Sequence, residues 1–204
     1  NVTIRIKDHH PFKEALNALV IKFALEYDYS AYSYIADVKA KADVHQALYE
    51  SRYKRIIDRL LSRGYVLKRF EECENVVERI GELVGTEFEY NTNPLLFSNY
   101  DPRYSYCLFK NDQPIAFSLI ETVGNMAVFH LLSRAKHSVP GAFLLPLFQT
   151  FTDLLADGFW KISFVVYHDN DRMRALSDHD FITQYVDKVQ PFKVYSKKTF
   201  LHPH

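Results

Sequence analysis

Residues 104–134 read YSYCLFKNDQPIAFSLIETVGNMAVFHLLSR. Three apolar-rich runs, Tyr104–Lys110, Ile115–Val123 and Met126–Arg134, are separated by Asn111-Asp112-Gln113-Pro114 and by Gly124-Asn125. Asn, Asp and Gly tolerate the left-handed backbone that tight hairpin turns need. Connections this short join antiparallel neighbours, because a parallel pair needs a long crossover. The stretch therefore predicts a three-stranded antiparallel meander.

Beyond the meander the pattern changes. Ser138-Val139-Pro140-Gly141 opens a predicted helix that runs to Asp157 and ends at Gly158. Pro146 lies inside it and is expected to kink or delay it. Phe159–Tyr167 (FWKISFVVY) reads as a buried central strand. His168-Asp169-Asn170 begins a short helix ending near Phe181, and strand-like segments follow around Tyr185 and Val194. On the other side of the meander, Tyr65–Glu71 reads as a strand and Cys73 to about Phe88 as a helix. Asn91–Arg103, with two prolines, reads as a loop.

The N-terminal third repeats the alternation. Val2–Lys7 is strand-like, and Asp8–Asp28 reads as a helix with Pro11 in its first turn. Leu16, Leu19, Val20, Phe23 and Ala24 share one face of that helix. Tyr29–Val38 alternates as a strand. Asp43, as N-cap, and Gln46 form the pattern of a capping box for a helix that ends at Gly64. Arg52, Lys54, Arg55, Arg59 and Arg63 decorate this helix. A solvated face is the plain reading of that charge, and contact with an anion or RNA the sharper one. The chain thus divides into an N-terminal α/β extension, 1–64, and a larger domain, 65–204. Pro11 and Pro140, Leu16 and Leu145, Leu25 and Leu154, and Asp28 and Asp157 share one offset. The first 64 residues are either a half-unit related to the second part or an extension covering a sheet edge.

Composition excludes several classes. Lys+Arg and Asp+Glu are equal at 25 each, so no net field draws the chain to nucleic acid or an anionic membrane. Cys73 and Cys107 are far apart in sequence and read as reduced thiols, which suits a cytoplasmic location. No apolar run approaches the ~20 residues that span a bilayer, and Asn1–Lys7 does not read as a signal peptide. Walker, GxSxG and HExxH motifs are absent, and the scattered histidines predict no metal site.

From Tyr65 onward the predicted order is strand, helix, three-strand meander, helix, strand, helix, strand. With the transition VFHLLSR into KHSVPGAFLL, and the step FVVYHDNDRMRALSDHDF, this order resembles the GNAT family of acyl-CoA-dependent N-acyltransferases. The resemblance implies an α/β (α+β) fold with a mixed, mostly antiparallel central sheet flanked by helices. It also implies an acetyl-CoA or other acyl-CoA co-substrate, and an amine acceptor on a small molecule or a protein. A homodimer is an open option. A helix N-terminus offers free N–H groups to an anion such as the donor's pyrophosphate. Family members build this site with Arg/Gln-x-x-Gly-x-Gly/Ala, and here Lys136-His137-Ser138-Val139-Pro140-Gly141 takes the place. Val139 replaces the first glycine and Pro140 removes one N–H. By resemblance, the donor-binding residues are Leu131, Leu132, Lys136, His137, Ser138, Val139, Gly141, Ala142 and Asn170. Ser177 falls near where many members place a tyrosine that protonates the departing thiolate. Tyr167 is the substitute candidate.

An acceptor amine must lose a proton, so a carboxylate or imidazole near the central strands is needed. Glu121 alternates with Ile115, Phe117 and Leu119, and His130 with Val128 and Leu132. Both are candidate bases. The plainer readings are a solvated carboxylate beside a turn and a satisfied core histidine. Two rivals to the acyl-CoA reading stay open: a transferase with an aminoacyl-tRNA donor, which the altered phosphate turn and the basic helix suit, and a non-catalytic binding module of the same fold.

Overall fold

A computed structural model describes residues 3–7, 11–37, 42–88, 100–159, 161–167 and 188–196. Contacts divide the chain into two compact units, Asn1–Ile35 with Phe164–His204, and Ala36–Ser163. These units run across the position, Gly64, at which the sequence reading divides the chain. The helical segment before Gly64 belongs to the same unit as the meander, and the C-terminal strand to the same unit as the N-terminal ones.

In the larger unit the meander is present. β4 (Tyr106–Lys110), β5 (Gln113–Val123) and β6 (Met126–Arg134) are antiparallel neighbours, and β3 (Tyr65–Arg69) pairs antiparallel with β4. The β4–β5 turn places Asn111 at φ 50° and Asp112 at φ 61°, the double left-handed geometry that a two-residue hairpin demands. β6 leads through α5 (Leu144–Ala156) to β7 (Lys161–Tyr167), whose first residues belong to this unit. A helical crossover is how parallel neighbours are joined. The sheet here is five-stranded, mixed and mostly antiparallel, with helices on its faces, as expected.

α5 buries Leu144, Leu145, Leu147, Phe148, Thr150, Phe151 and Leu154 because it is covered on two sides. Toward the sheet, Phe151 packs on Phe129 and Thr150 Oγ1 lies 3.1 Å from Ser118 Oγ. Toward the helices, Phe148 meets Tyr53 and His45. Those helices are α2 (Ala42–Leu48), a π-helical turn (Tyr49–Tyr53) and α3 (Lys54–Ser62). Gly64 follows the last turn at φ 76°, as a C′ glycine should. The capping box does not form as read: Asp43 is the second residue of α2, and the Gln46 amide donates to Glu50. α4 (Val76–Glu82) covers the other sheet face. Its Val76 and Ile80 join Phe70, Phe88, Cys107, Phe109, Phe117 and Leu119 in one core.

The smaller unit contains β1 (Thr3–Lys7), α1 (Lys13–Lys22), β2 (Glu26–Asp37) and β8 (Lys188–Ser196). β8 pairs antiparallel with both β1 and β2. The helix expected over Asp8–Asp28 ends earlier, at Lys22, and the strand begins at Glu26. Ala24, at φ 48°, breaks the helix, and Tyr27, Tyr29 and their neighbours suit a ladder better. Two of the four pairs that share an offset differ in placement. Leu25 follows α1 whereas Leu154 lies within α5, and Asp28 is in a strand whereas Asp157 caps a helix. The short helix expected from His168 and the strand around Tyr185 lie outside the described residues.

Candidate functional site

Glu121 lies near the end of β5 and His130 in the middle of β6. Along the β5–β6 ladder Leu119 faces Leu131, yet Ile120 faces Phe129. His130 is therefore the extra residue of a β-bulge, a device that bends a strand and re-aims a side chain. From it the His130 Nε2 reaches Glu121 Oε2 at 2.5 Å. The His130 side chain is 6% exposed and that of Glu121 26%, so one partner is buried and the other is reachable from solvent. The sequence proposes each residue separately. The structure brings them together.

The turn after β6 is built from short-range bonds. Ser138 N–H donates to Ala135 O at 3.0 Å, Ala142 N–H to Val139 O at 3.2 Å, and Leu144 N–H to Gly141 O at 2.9 Å. Gly141 sits at φ 85°, a conformation that L side chains rarely adopt. The N–H groups of Gly141 and Phe143 have no backbone acceptor among the described residues. The helix itself starts at Leu144, later than the sequence suggests. Pro146 forbids the bond to Ala142 that an earlier start would need, and it is accommodated in the first turn. Ser138 is consequently no helix cap, and its buried Oγ has no hydrogen-bond partner among the described residues.

The other candidates fall as follows. Lys136 is exposed, and its ammonium donates to the carbonyls of Gly85 (3.2 Å) and Thr86 (2.8 Å), which ties this turn to the end of α4. His137 is exposed and Val139 half-buried. Ala142 is fully buried. Leu131 is half-buried against the α4-side core, and Leu132 follows it on β6. Tyr167 is the last residue of β7, its side chain outside the described set. Asn170 and Ser177 also lie outside the described residues. On α3, Lys54 pairs with Glu50 at 3.3 Å, while Arg55, Arg59 and Arg63 are exposed. Among the described residues no group of His, Cys, Asp and Glu is arranged to hold a metal, and no helix is long and apolar enough to cross a membrane.

Sequence reasoning missed the polar group beside Glu121. Asp101, Ser105 and Thr122 hydrogen-bond around β5. The Asp101-Pro102 pair is a turn signal, but nothing local says which strand the turn reaches.

No protein-family model matches the chain, and no curated protein sequence matches it. Solved structures do share its fold. One is the C-terminal domain of a protein described as a lysylphosphatidylglycerol synthetase from Agrobacterium fabrum, with a TM-score of 0.55 at 11% identity, over 95% of this chain and 67% of that one. A second is the GCN5-related glucosamine N-acetyltransferase region of a fungal multi-domain β-N-acetylglucosaminidase (0.50, 12%, over 94% and 24%). A third is a GCN5-related N-acetyltransferase from Kribbella flavida (0.50, 10%, over 98% and 69%). The chain has the fold of the GCN5-related N-acetyltransferases.

Proposed function

We propose that this chain is an N-acyltransferase that moves an acyl group, acetyl in the simplest case, from acyl-CoA to an amine. The observation that carries the reading is the Glu121–His130 contact, 2.5 Å long and placed by a bulge in the middle of the sheet. Glu121, the more exposed partner, takes the proton from the incoming ammonium or amine. His130, buried behind it, orients the carboxylate and shares that proton across Nε2 and Oε2. The donor, when bound, supplies the activated thioester. The turn from Lys136 to Ala142 would hold its pyrophosphate, using the N–H groups of Gly141 and Phe143 and the positive end of α5. Holding amine and donor together lowers the barrier mainly by orientation. Free thiols at Cys73 and Cys107 suit a reducing compartment such as the cytoplasm.

A second reading keeps the chemistry and changes the donor to aminoacyl-tRNA. Two observations favour it. The Lys136 ammonium is already engaged by carbonyls, and one fold relative is described as a lysylphosphatidylglycerol synthetase.

Thermal unfolding with acetyl-CoA tests the first reading. A ligand that binds only the folded state raises the midpoint. A shift that survives Glu121→Gln, with loss of CoA-thiol release in the presence of amines, supports it. No shift with any acyl-CoA sinks it in favour of the second.

A further inference from the structure

β5, which carries Glu121, is irregular along both edges at the same height. Toward β6 the extra residue is His130. Toward β4, paired residues stop at Tyr106 and Ser118. Beyond that point the turn from Asp101 to Ser105 takes the place of a strand. Asp101 N–H donates to Ile120 O at 2.6 Å. Ile120 N–H donates to Ser105 Oγ at 3.1 Å, and that hydroxyl donates onward to Asp101 O at 2.8 Å. Thr122 Oγ1 donates to Asp101 Oδ2 at 2.8 Å.

The turn thus holds Ile120 and Thr122, the residues on either side of Glu121. Ser105 is fully buried and Asp101 is 9% exposed. Asp101 is itself fixed by Arg103, which donates from the backbone N–H (3.1 Å), Nε (3.0 Å) and Nη2 (2.7 Å). Burial opposes its ionisation, but the bonds from Arg103 and Thr122 outweigh burial and hold the carboxyl below its usual range. A ladder bond to a neighbouring strand would leave β5 free to follow that strand. A bond to a buried, doubly engaged hydroxyl does not.

We propose that Asp101, Ser105 and Thr122 are positioning residues that set where Glu121 meets His130. Their role in a reaction rests on the reading of that pair as the proton acceptor. Their effect on the pair itself does not. Remove the Ser105 hydroxyl and the buried Ile120 N–H loses its acceptor. β5 then moves to recover one, and Glu121 moves with it.

The test needs no substrate. In the full chain labelled with 15N-histidine, the His130 signals are assigned by their loss in His130→Gln. The titration midpoint of His130 is then measured in the wild type, Glu121→Gln, Ser105→Ala and the double variant. The displacement caused by Glu121→Gln measures the coupling of the pair. We expect a clear displacement in the wild type and at most a third of it in the Ser105→Ala background. An equal displacement in both backgrounds, with Ser105→Ala folded by circular dichroism, overturns the proposal. So does the absence of any displacement in the wild type. If Ser105→Ala does not fold, Thr122→Val, half-buried and of the same branched shape, replaces it. The displacement should then fall by half or more, and an undiminished one overturns the proposal. Retained transferase activity in Glu121→Gln would instead sink the proton-acceptor reading and leave the positioning result standing.

Discussion

The Tyr104 hydroxyl donates to Asp157 Oδ2 at 2.5 Å, joining the approach to β4 to the C-terminal cap of α5. One turn earlier Tyr106 donates to Asp153, which also receives Arg69 at 3.0 Å. Two residues along a strand advance about 7 Å and four along a helix about 6 Å, so the two pairs match in pitch. A carboxylate at a helix C-terminus opposes the macrodipole, and the tyrosine bond offsets this. Burial first, then the bond to Asp157, lifts the Tyr104 hydroxyl to about 12. Tyr104→Phe should cost about 1.5–3 kcal/mol, as expected for a bond to a charged acceptor. Urea unfolding checks it, and the loss should shrink in an Asp157→Asn background.

Gly141→Ala should destabilise by about 1–2 kcal/mol, because φ is positive and an added side chain costs backbone strain. The added Cβ would also meet Ile56 Cγ2 of α3 at 3.0 Å. Ile56→Ala removes the struck Cγ2 methyl, so Gly141→Ala should cost less in that background, where only the backbone strain remains. Partial rescue in the double variant, measured by denaturant midpoints, separates the two contributions.

Ser138→Ala should be neutral or slightly stabilising, since the hydroxyl is buried with no partner among the described residues to offset its desolvation. Acetyl-CoA binding by the same variant is informative. If the donor uses this hydroxyl, the thermal shift with ligand shrinks although the unliganded midpoint does not fall.

His45 makes stability depend on pH. Its ring lies on Phe148 and Phe151, its Nε2 is 3.1 Å from Thr152 Oγ1, and burial pulls its pKa down from 6.5 to about 4. The folded state therefore binds this proton less readily than the unfolded chain. The contribution is complete above about pH 6.5 and is lost as pH falls toward 4, by up to about 3 kcal/mol. His45→Gln should flatten this part of the pH profile of urea unfolding. An unchanged slope between pH 7 and 4 would refute the assignment.

Local chemistry made much of this legible. Gly124 and Asn125 bound β6 to the residue, and Gly158 ends α5, because turn and cap signals act over one or two positions. The late start of α5 was visible in Pro146, which the sequence marks as a break without saying on which side. Glu121 and His130 were each found by alternation along their own strands. Their meeting was not, because it depends on one unpaired residue in the ladder, and no residue type announces a bulge. Asp101, Ser105 and Thr122 were invisible for a related reason. The bonds that tie Asp101 and Ser105 to β5 cross 15 to 21 positions of sequence, beyond the reach of any period or motif.

Because β8 lies between β1 and β2, the smaller unit waits on the order of synthesis. During translation β1 and β2 leave the ribosome long before the strand that will separate them. The larger unit, contiguous from Ala36 to Ser163, meets no such delay. In that interval two tyrosine-rich or alternating edges stand unpaired, free to join each other or a neighbouring nascent chain. A chain stalled before Lys188 should therefore carry a folded larger unit beside an N-terminal segment held by chaperones.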